Sequence, residues 1–443
     1  MSRLRTEDLI GIGFGPANLA LAIAVEAHNE RNPQEALAAR FVERQARFGW
    51  HRGMLLEGAT MQVAFLKDLV TMRDPRSRFS FLCYLQERDR LADFINQKSF
   101  YPTRLEFHDY LEWCAAEFAD AVDYGRSAVE VRPVVEAGRT VAVEVVTEAV
   151  AGPADRQVHL ARNLSVGTGL TPCLPEGVTA GERVWHTRDL LHRAPQLGEL
   201  KHRRFTVVGA GQSAAEAVEY LHRTFPDAEV CAVFTRYGYS PADDSPFANR
   251  IFDPEAVDHY YGAPEPVKQR LLDLHANTNY SVVDGDLIEQ LYRTVYQEKV
   301  AGRERLRMLN TTRLTGVEHT ADGARALVRN LATGEEYALE SDAVVLATGY
   351  AHVDPRELLG DLAADCLTDP AGRLRVDRDH RVLTTEDVEV GIYLQGGTEH
   401  THGITSSLLS TLAVRSGEIS DSLLLRRTQL GLQADQRAAA GVR

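Results

Sequence analysis

The chain has 443 residues, 44% of them apolar and 25% charged, with a formal net charge of −14. That is long enough for two or three domains with large cores, and the acidic balance argues against non-specific nucleic-acid binding. The five cysteines, Cys83, Cys114, Cys173, Cys231 and Cys366, are scattered without CxxC spacing, and neither a signal-peptide h-region nor an apolar run of about 18 residues is present. This excludes a redox dithiol, speaks against a zinc site and a membrane span, and fits a reducing cytoplasm.

The first informative stretch is GIGFGPANLA at residues 11–20. It follows the apolar Leu9-Ile10 and precedes a helix-like run from Leu19 to Val25. Gly11 and Gly13 occupy the first two glycine places of a dinucleotide-binding turn. Pro16 stands where a third glycine often does, and Gly15 is extra. The first glycine permits a tight strand-to-helix turn, the second lets backbone approach a pyrophosphate, and the helix start offers free N–H groups to it. Proline is tolerated early in a helix because its missing N–H would be unpaired anyway. Alone, such a turn is weak evidence, since glycines also serve ordinary turns. The next strand, Ala39 to Val42, ends in Glu43, whose carboxylate suits a ribose hydroxyl. The polar insert His28 to Glu35 accounts for a spacing longer than the usual interval of about 20 residues.

Further along, LSVGTG at 164–169 is an apolar strand ending in a small-Thr-Gly turn. A second fingerprint follows. Phe205 to Val208 reads as a strand, Gly209-Ala210-Gly211-Gln212-Ser213-Ala214 as GxGxxA, and Ala215 to Leu221 as a helix. The following strand, Val230 to Thr235, ends in Arg236 rather than an acid, which suits the 2′-phosphate of NADPH. The first turn therefore reads as an FAD site and the second as an NADPH site. Asp253 to Lys299 has helical spacing and reads as a substrate-side subdomain. DAVVLATGY at 342–350 repeats the pattern of 164–169, as expected where the chain crosses back between domains.

Residues 47–84, RFGWHRGMLLEGATMQVAFLKDLVTMRDPRSRFSFLCY, carry a resemblance. Together with Pro102-Thr103-Arg104 to Tyr110, PFANRIFDP at 246–254, Asn279 to Val282, and His402-Gly403 to Ser410, this segment resembles the flavin-dependent monooxygenases that N-hydroxylate the side-chain amine of ornithine or lysine. The likeness spans almost the whole chain. It implies an α/β fold with two Rossmann-like domains, the second inserted in the first. The FAD domain would take residues 1–169 and 347–443, and the NADPH domain residues 170–346, with the helical subdomain at about 253–299.

Residue by residue, the resemblance implies that Trp50, His51 and Gln62 line the flavin and that Arg104 sits near the cofactors. Arg236 would hold the NADPH phosphate. Lys67, Asn249 and Asn279 would grip the substrate carboxylate, for which a cation and amide donors are the right chemistry. Ser410 would lie near the substrate amine and the flavin. The implied reaction joins O2 to a terminal amine of an amino acid through a C4a-hydroperoxyflavin, without a metal and with no dedicated acid–base pair. Ornithine is expected first, lysine second, and diamines such as putrescine or cadaverine as the alternative. The family's usual L-S-D after His402-Gly403 is replaced by Ile404-Thr405-Ser406, so the aspartate is absent. A disulfide reductase lacks its dithiol here, and a Baeyer–Villiger oxygenase has only a faint echo in Val184-Trp185-His186-Thr187. A non-catalytic nucleotide sensor would not need the carboxylate-gripping trio. A dimer or tetramer is expected by resemblance, and the polar tail Gln433 to Arg443 is expected to fray.

Overall fold

In a computed structural model, which describes residues 5–440, two five-stranded parallel sheets organise the chain. The first has the strand order Gly391–Leu394, Asn163–Val166, Leu9–Ile12, Ala39–Glu43, Val122–Tyr124. The second runs Val184–His186, Ala343–Leu346, Arg204–Val208, Glu229–Val233, Leu306–Leu309. Parallel strands covered on both faces read as unbroken apolar runs, and Ala343–Leu346 is buried at every position. All strands of the second sheet fall between two neighbours of the first, Asn163–Val166 and Gly391–Leu394, so one unit is inserted in the other.

The two crossings lie side by side. Leu170–Pro172 pairs antiparallel with Tyr350–His352, and the Cys173 N–H donates to the Gly349 carbonyl at 3.0 Å. Each parallel sheet also has a companion: Arg126–Glu136, Arg139–Ala149 and Gly152–Ala161 run antiparallel in one, with Thr6–Glu7 added parallel to the last, and Thr312–His319, Ala324–Asn330 and Glu336–Ser341 run antiparallel in the other. Neither companion is expected from the sequence patterns.

Several expected boundaries shift. The first helix spans Pro16–Arg31, with Gly15 as its N-cap, and swallows part of the polar insert. The second dinucleotide helix is Gln212–Thr224, capped by Gly211. The strand before Arg236 stops at Val233, leaving Phe234 and Thr235 in the following loop. The helical stretch 253–299 is three helices, Pro254–Gly262, Glu265–His275 and Gly285–Ala301, because Pro264 cannot continue the first and Asp284 caps the last. The tail expected to fray from Gln433 continues the helix Leu412–Ala440, and only 441–443 fall outside the described residues. No described helix is long and apolar enough to cross a membrane.

The segment 51–56 belongs to both units. Met54 and Leu56 pack with Trp185, Leu190 and Phe205 in the core of the second unit. Gly53 is obligatory there, because a Cβ would fall 1.7 Å from the Arg188 carbonyl oxygen. At the return crossing, Asp342 is 1% exposed. Its carboxylate accepts from the backbone N–H groups of Lys201 at 2.6 Å, His202 at 3.2 Å and Arg204 at 3.1 Å. Asp342→Ala strands these donors inside the protein. The expected cost is at least ~2 kcal/mol in a denaturant titration followed by far-UV circular dichroism.

Candidate cofactor and substrate site

The first glycine turn is held from three sides. Asn18, 1% exposed, donates through Nδ2 to the Gly13 carbonyl at 2.6 Å, and its Oδ1 accepts from the Ser165 hydroxyl at 2.6 Å. Glu43, at the end of its strand, accepts from the Phe14 N–H at 2.7 Å and the Gln45 N–H at 2.8 Å, one carboxylate oxygen each. Each oxygen keeps a second lone pair for a ligand hydroxyl. Sequence reasoning misses Asn18, although an asparagine early in a helix is a signal, since its amide competes for backbone there.

The glycines divide their work differently from the expectation. Gly13 has φ +83°, and a Cβ on it would meet the Gly167 carbonyl oxygen at 2.3 Å. Its lack of a side chain thus serves the crossing of two backbones inside the protein. Gly11 is similarly close-packed, against the Phe41 ring at 2.2 Å. Gly15 is the one with nothing within 4 Å of a Cβ. Open space for a phosphate group therefore lies at Gly15 and the helix start at Pro16. Beyond Glu43, a cleft of about 410 Å³ bordered by Arg44, Ser127, Val129, Glu148 and Pro153 continues away from the turn. None of these is expected from sequence.

Trp50 and His51 follow Glu43 in the chain, just before the loop that packs on the second unit. The Trp50 ring sits edge-on to His51 at 5.0 Å and to Phe107 at 6.2 Å. His51 adopts a left-handed backbone, φ 48°, and its ring meets that of Tyr350 edge-on at 6.1 Å. Desolvation by the surrounding protein, with the nearby Arg104 cation, pushes its imidazole down to about 4, so it is neutral at pH 7. Gln62 is exposed. Arg104 begins the helix Arg104–Ala116 and forms a two-pronged pair with Glu216, at 2.7 and 2.6 Å.

At the second turn, Gly209 has φ +141° and packs on Ala347, while Gln212 and Ser213 begin the helix. The exposed Arg236 donates to the Ser281 carbonyl at 2.8 Å. Ser281 has φ 56° and lies 3.5 Å from where a Gly211 Cβ would stand. The loop that carries Asn279 therefore touches the second dinucleotide turn.

Lys67 is half-buried. Its Nζ lies 5.8 Å from the centre of the Phe252 ring and has no carboxylate partner among the described residues. Burial lowers its ammonium pKa, and Asp253 partly offsets that. Its loop is fixed by the next residue. The Asp68 carboxylate accepts from the N–H groups of Val70, Thr71 and Phe81 and from the Thr71 hydroxyl, at 2.6–3.0 Å. Asn249 lies on the short helix Ala248–Phe252 beside Lys67, with its amide donating to the Asp244 carbonyl at 2.8 Å. Asn279 is exposed on a neighbouring loop joined to 241–243 through the Pro241–Val283 bridge. Lys67 thus lies against Phe252 of the helix that carries Asn249, and the Pro241–Val283 bridge ties the loop of Asn279 to the segment before that helix. Tyr280 donates a short hydrogen bond to Glu399.

Ser410 is buried, and its hydroxyl has no hydrogen-bond partner within the protein. An orphaned buried hydroxyl, an open glycine turn at a helix start and an acid at a strand end fit a dinucleotide such as FAD. Beside Thr411 lies a chamber of about 10 Å³ lined also by His380, His402, Ser406, Arg415 and Glu418. The His380 and His402 rings stack at 4.1 Å, and burial with the second histidine drives His402 down to about 3.

Two dinucleotide-type turns, each leading from a parallel strand into a helix, define a pyridine-nucleotide flavoprotein. The family model described as L-lysine 6-monooxygenase/L-ornithine 5-monooxygenase matches residues 5–352. An L-ornithine N(5)-monooxygenase of Burkholderia cepacia is 44% identical, with 91% of each chain covered. That of Pseudomonas aeruginosa is 39% identical over 94% of this chain and 93% of its own. A solved structure of the Kutzneria sp. 744 ornithine N-hydroxylase, KtzI with FADred, NADP+ and L-orn, superposes with a TM-score of 0.91 at 48% identity, covering 96% of this chain and 100% of that one. The chain belongs to the L-lysine 6-monooxygenase/L-ornithine 5-monooxygenase family.

Two expectations follow from this geometry. Gly13→Val forces a branched side chain into a left-handed turn against backbone and is expected to prevent folding, whereas Gly15→Val leaves circular dichroism unchanged and empties the protein of FAD. A folded, fully yellow Gly15→Val protein places the flavin phosphates elsewhere. The second concerns pH. His402 is held below its unfolded pKa of about 6.5, so the unfolded state takes up protons first as pH falls and native stability drops from that point toward pH 3. Its contribution between pH 7 and 5 is a loss of about 2 kcal/mol, and His402→Gln is expected to flatten that limb of the stability curve.

Proposed function

We propose that the chain is an FAD- and NADPH-dependent L-ornithine N5-monooxygenase serving hydroxamate siderophore biosynthesis. It would convert the terminal amine, O2, NADPH and a proton to the hydroxylamine, water and NADP+. Ornithine is preferred over lysine because the relatives compared at 38–48% identity over most of this chain act on ornithine. One feature of the site carries the reading: Lys67, a half-buried cation without a carboxylate partner among the described residues, facing the short helix of Asn249. A buried charge left unpaired by its own chain calls for an anion from outside. An amino-acid carboxylate supplies one, and a diamine does not.

Bound FAD supplies the redox chemistry, taking a hydride from NADPH and activating O2. The protein's share is to bind and orient. We assign FAD to residues 1–169 and 347–443, on Gly11, Gly13, Gly15, Pro16 and Glu43, with Trp50, His51, Gln62 and Ser410 along the ring. We assign NADPH to 170–346, on Gly209, Gly211, Gln212 and Ser213, with Arg236 toward the 2′-phosphate. Neutral His51 adds no charge to the cleft. With the carboxylate fixed at Lys67, Asn249 and Asn279, distance to the flavin measures chain length, and the Ser410 hydroxyl is free to bond the reacting end. Five free cysteines support a cytoplasmic enzyme. The exposed Tyr292, Tyr296 and Val300, spaced four residues apart on helix Gly285–Ala301, support a homo-oligomer, dimer or tetramer.

The test is hydroxylamine formation across ornithine, lysine, putrescine and cadaverine. Each amino acid should exceed its diamine by at least about tenfold in kcat/KM, since one polar group left unpaired in a closed pocket costs ~1–3 kcal/mol. Lys67→Ala should remove most of that advantage while NADPH still reduces the flavin. A wild type that prefers cadaverine or putrescine defeats the carboxylate clamp.

A further inference from the structure

The flavin-side helix Arg104–Ala116 and the nucleotide-side helix Gln212–Thr224 meet through one ion pair. Arg104 spans the seam to Glu216 with both terminal nitrogens, and the two side chains are 14% and 5% exposed. The Gln212 amide donates to the same carboxylate at 2.8 Å, and its oxygen accepts from the Asp284 N–H at 2.7 Å. Asp284 in turn caps the helix Gly285–Ala301. Four residues from three segments thus form a chain that ends one turn from the Gly211 phosphate turn.

The placement is unfavourable for each charge by itself. A cation at the first position of a helix opposes the helix dipole. A carboxylate in the second turn of a phosphate-binding helix opposes the incoming phosphates. Each is tolerable only because the other, supplied by the opposite domain, neutralises it. Removing either partner leaves a buried charge that can be relieved by the domains moving apart. Arg104 also lies close enough to His51 to act on its ring, so its position is felt in the cleft.

We propose that Glu216 is a positioning residue for the NADPH-to-flavin step: by clamping Arg104 it sets the register of the nucleotide domain on the flavin domain. This rests on the reading of the chain as an NADPH-dependent flavoenzyme. A hydride transfer tolerates little displacement between donor and acceptor, so loss of register lowers the rate at saturation more than the affinity.

The experiment is anaerobic stopped-flow reduction of the FAD holoenzyme by NADPH, with hydrogen exchange on the same samples. In Glu216→Gln the limiting reduction rate is expected to fall at least about tenfold, with apparent NADPH affinity within about threefold of wild type. Amides at 103–107 and 212–217 should exchange faster. In an Arg104→Ala background, adding Glu216→Gln should cost less than about a further twofold, because the two act as one unit. A wild-type limiting rate, unchanged exchange, or losses that multiply in the double variant overturn the proposal. Should Glu216→Gln not retain FAD, Glu216→Asp, which keeps the charge and withdraws it by one methylene, takes its place in the same cycle. The same losses are then expected, and the same contrary results overturn the proposal. A wild type whose flavin NADPH does not reduce defeats the activity reading, and the proposal with it.

Discussion

The architecture hangs on the chain's two crossings between sheets. Leu170–Pro172 and Tyr350–His352 pair antiparallel, so the inserted unit is tied to its host by two strands in register rather than by one flexible link. A single strand would leave the units free to twist about it. Two paired strands remove most of that freedom while leaving the mouth between the sheets open. The flanking details serve the same constraint. Gly209 at φ +141° sits against the Ala347 carbonyl, Asp342 collects three N–H groups from 201–204, and Gly53 lets the flavin-side loop press on Arg188.

A cleft built this way is electrostatically selective without being strongly charged. The turn at Gly11–Gly15 offers backbone N–H groups, with Glu43 already committed to two of its own neighbours. The second turn has Arg236 exposed at its side and the Arg104–Glu216 pair neutralised beneath it. Lys67 is a half-buried cation with no carboxylate partner among the described residues. An otherwise acidic protein can therefore carry local groups of donors and cations, and these rather than net charge decide what binds.

Much of this is legible from the residues. Both fingerprints, both small-Thr-Gly crossings and the trio Lys67, Asn249 and Asn279 stand in short local patterns whose chemistry is specific. What escapes depends on distance in sequence. Glu216 reads as one more acid on a helix until Arg104, 112 residues earlier, reaches it. Asp68 sits in a quoted motif, yet its task, four hydrogen bonds that fix the loop beneath Lys67, follows only from the fold. The antiparallel strands at 126–161 and 312–341 alternate only loosely, with β-bulges at Ala128/Glu130 and Leu314/Gly316 that break the period of two. The packing demand on Gly13 escapes for a related reason: the fingerprint gives the residue type, whereas the neighbour that a Cβ would strike is Gly167, far along the chain.

The missing aspartate shows how far such local readings reach. Ser406 stands at that place, buried and facing the small chamber with His380, His402, Arg415 and Glu418. Arg415, 4% exposed, has no carboxylate within 4 Å among the described residues and donates instead to the Ser406 carbonyl and to Gln395. Burial accordingly lowers its guanidinium pKa to about 10. A side chain here lines a chamber shared with the helices Pro254–Gly262 and Leu412–Ala440. Its influence would pass through the packing of Pro254 and Val257 on that chamber and through Thr411, next to Ser410. A serine and a space of one water's size can hold that packing as an aspartate would, provided the chamber stays filled. Replacing the acid therefore need not change which amino acid fits, and a preference for ornithine is compatible with its absence.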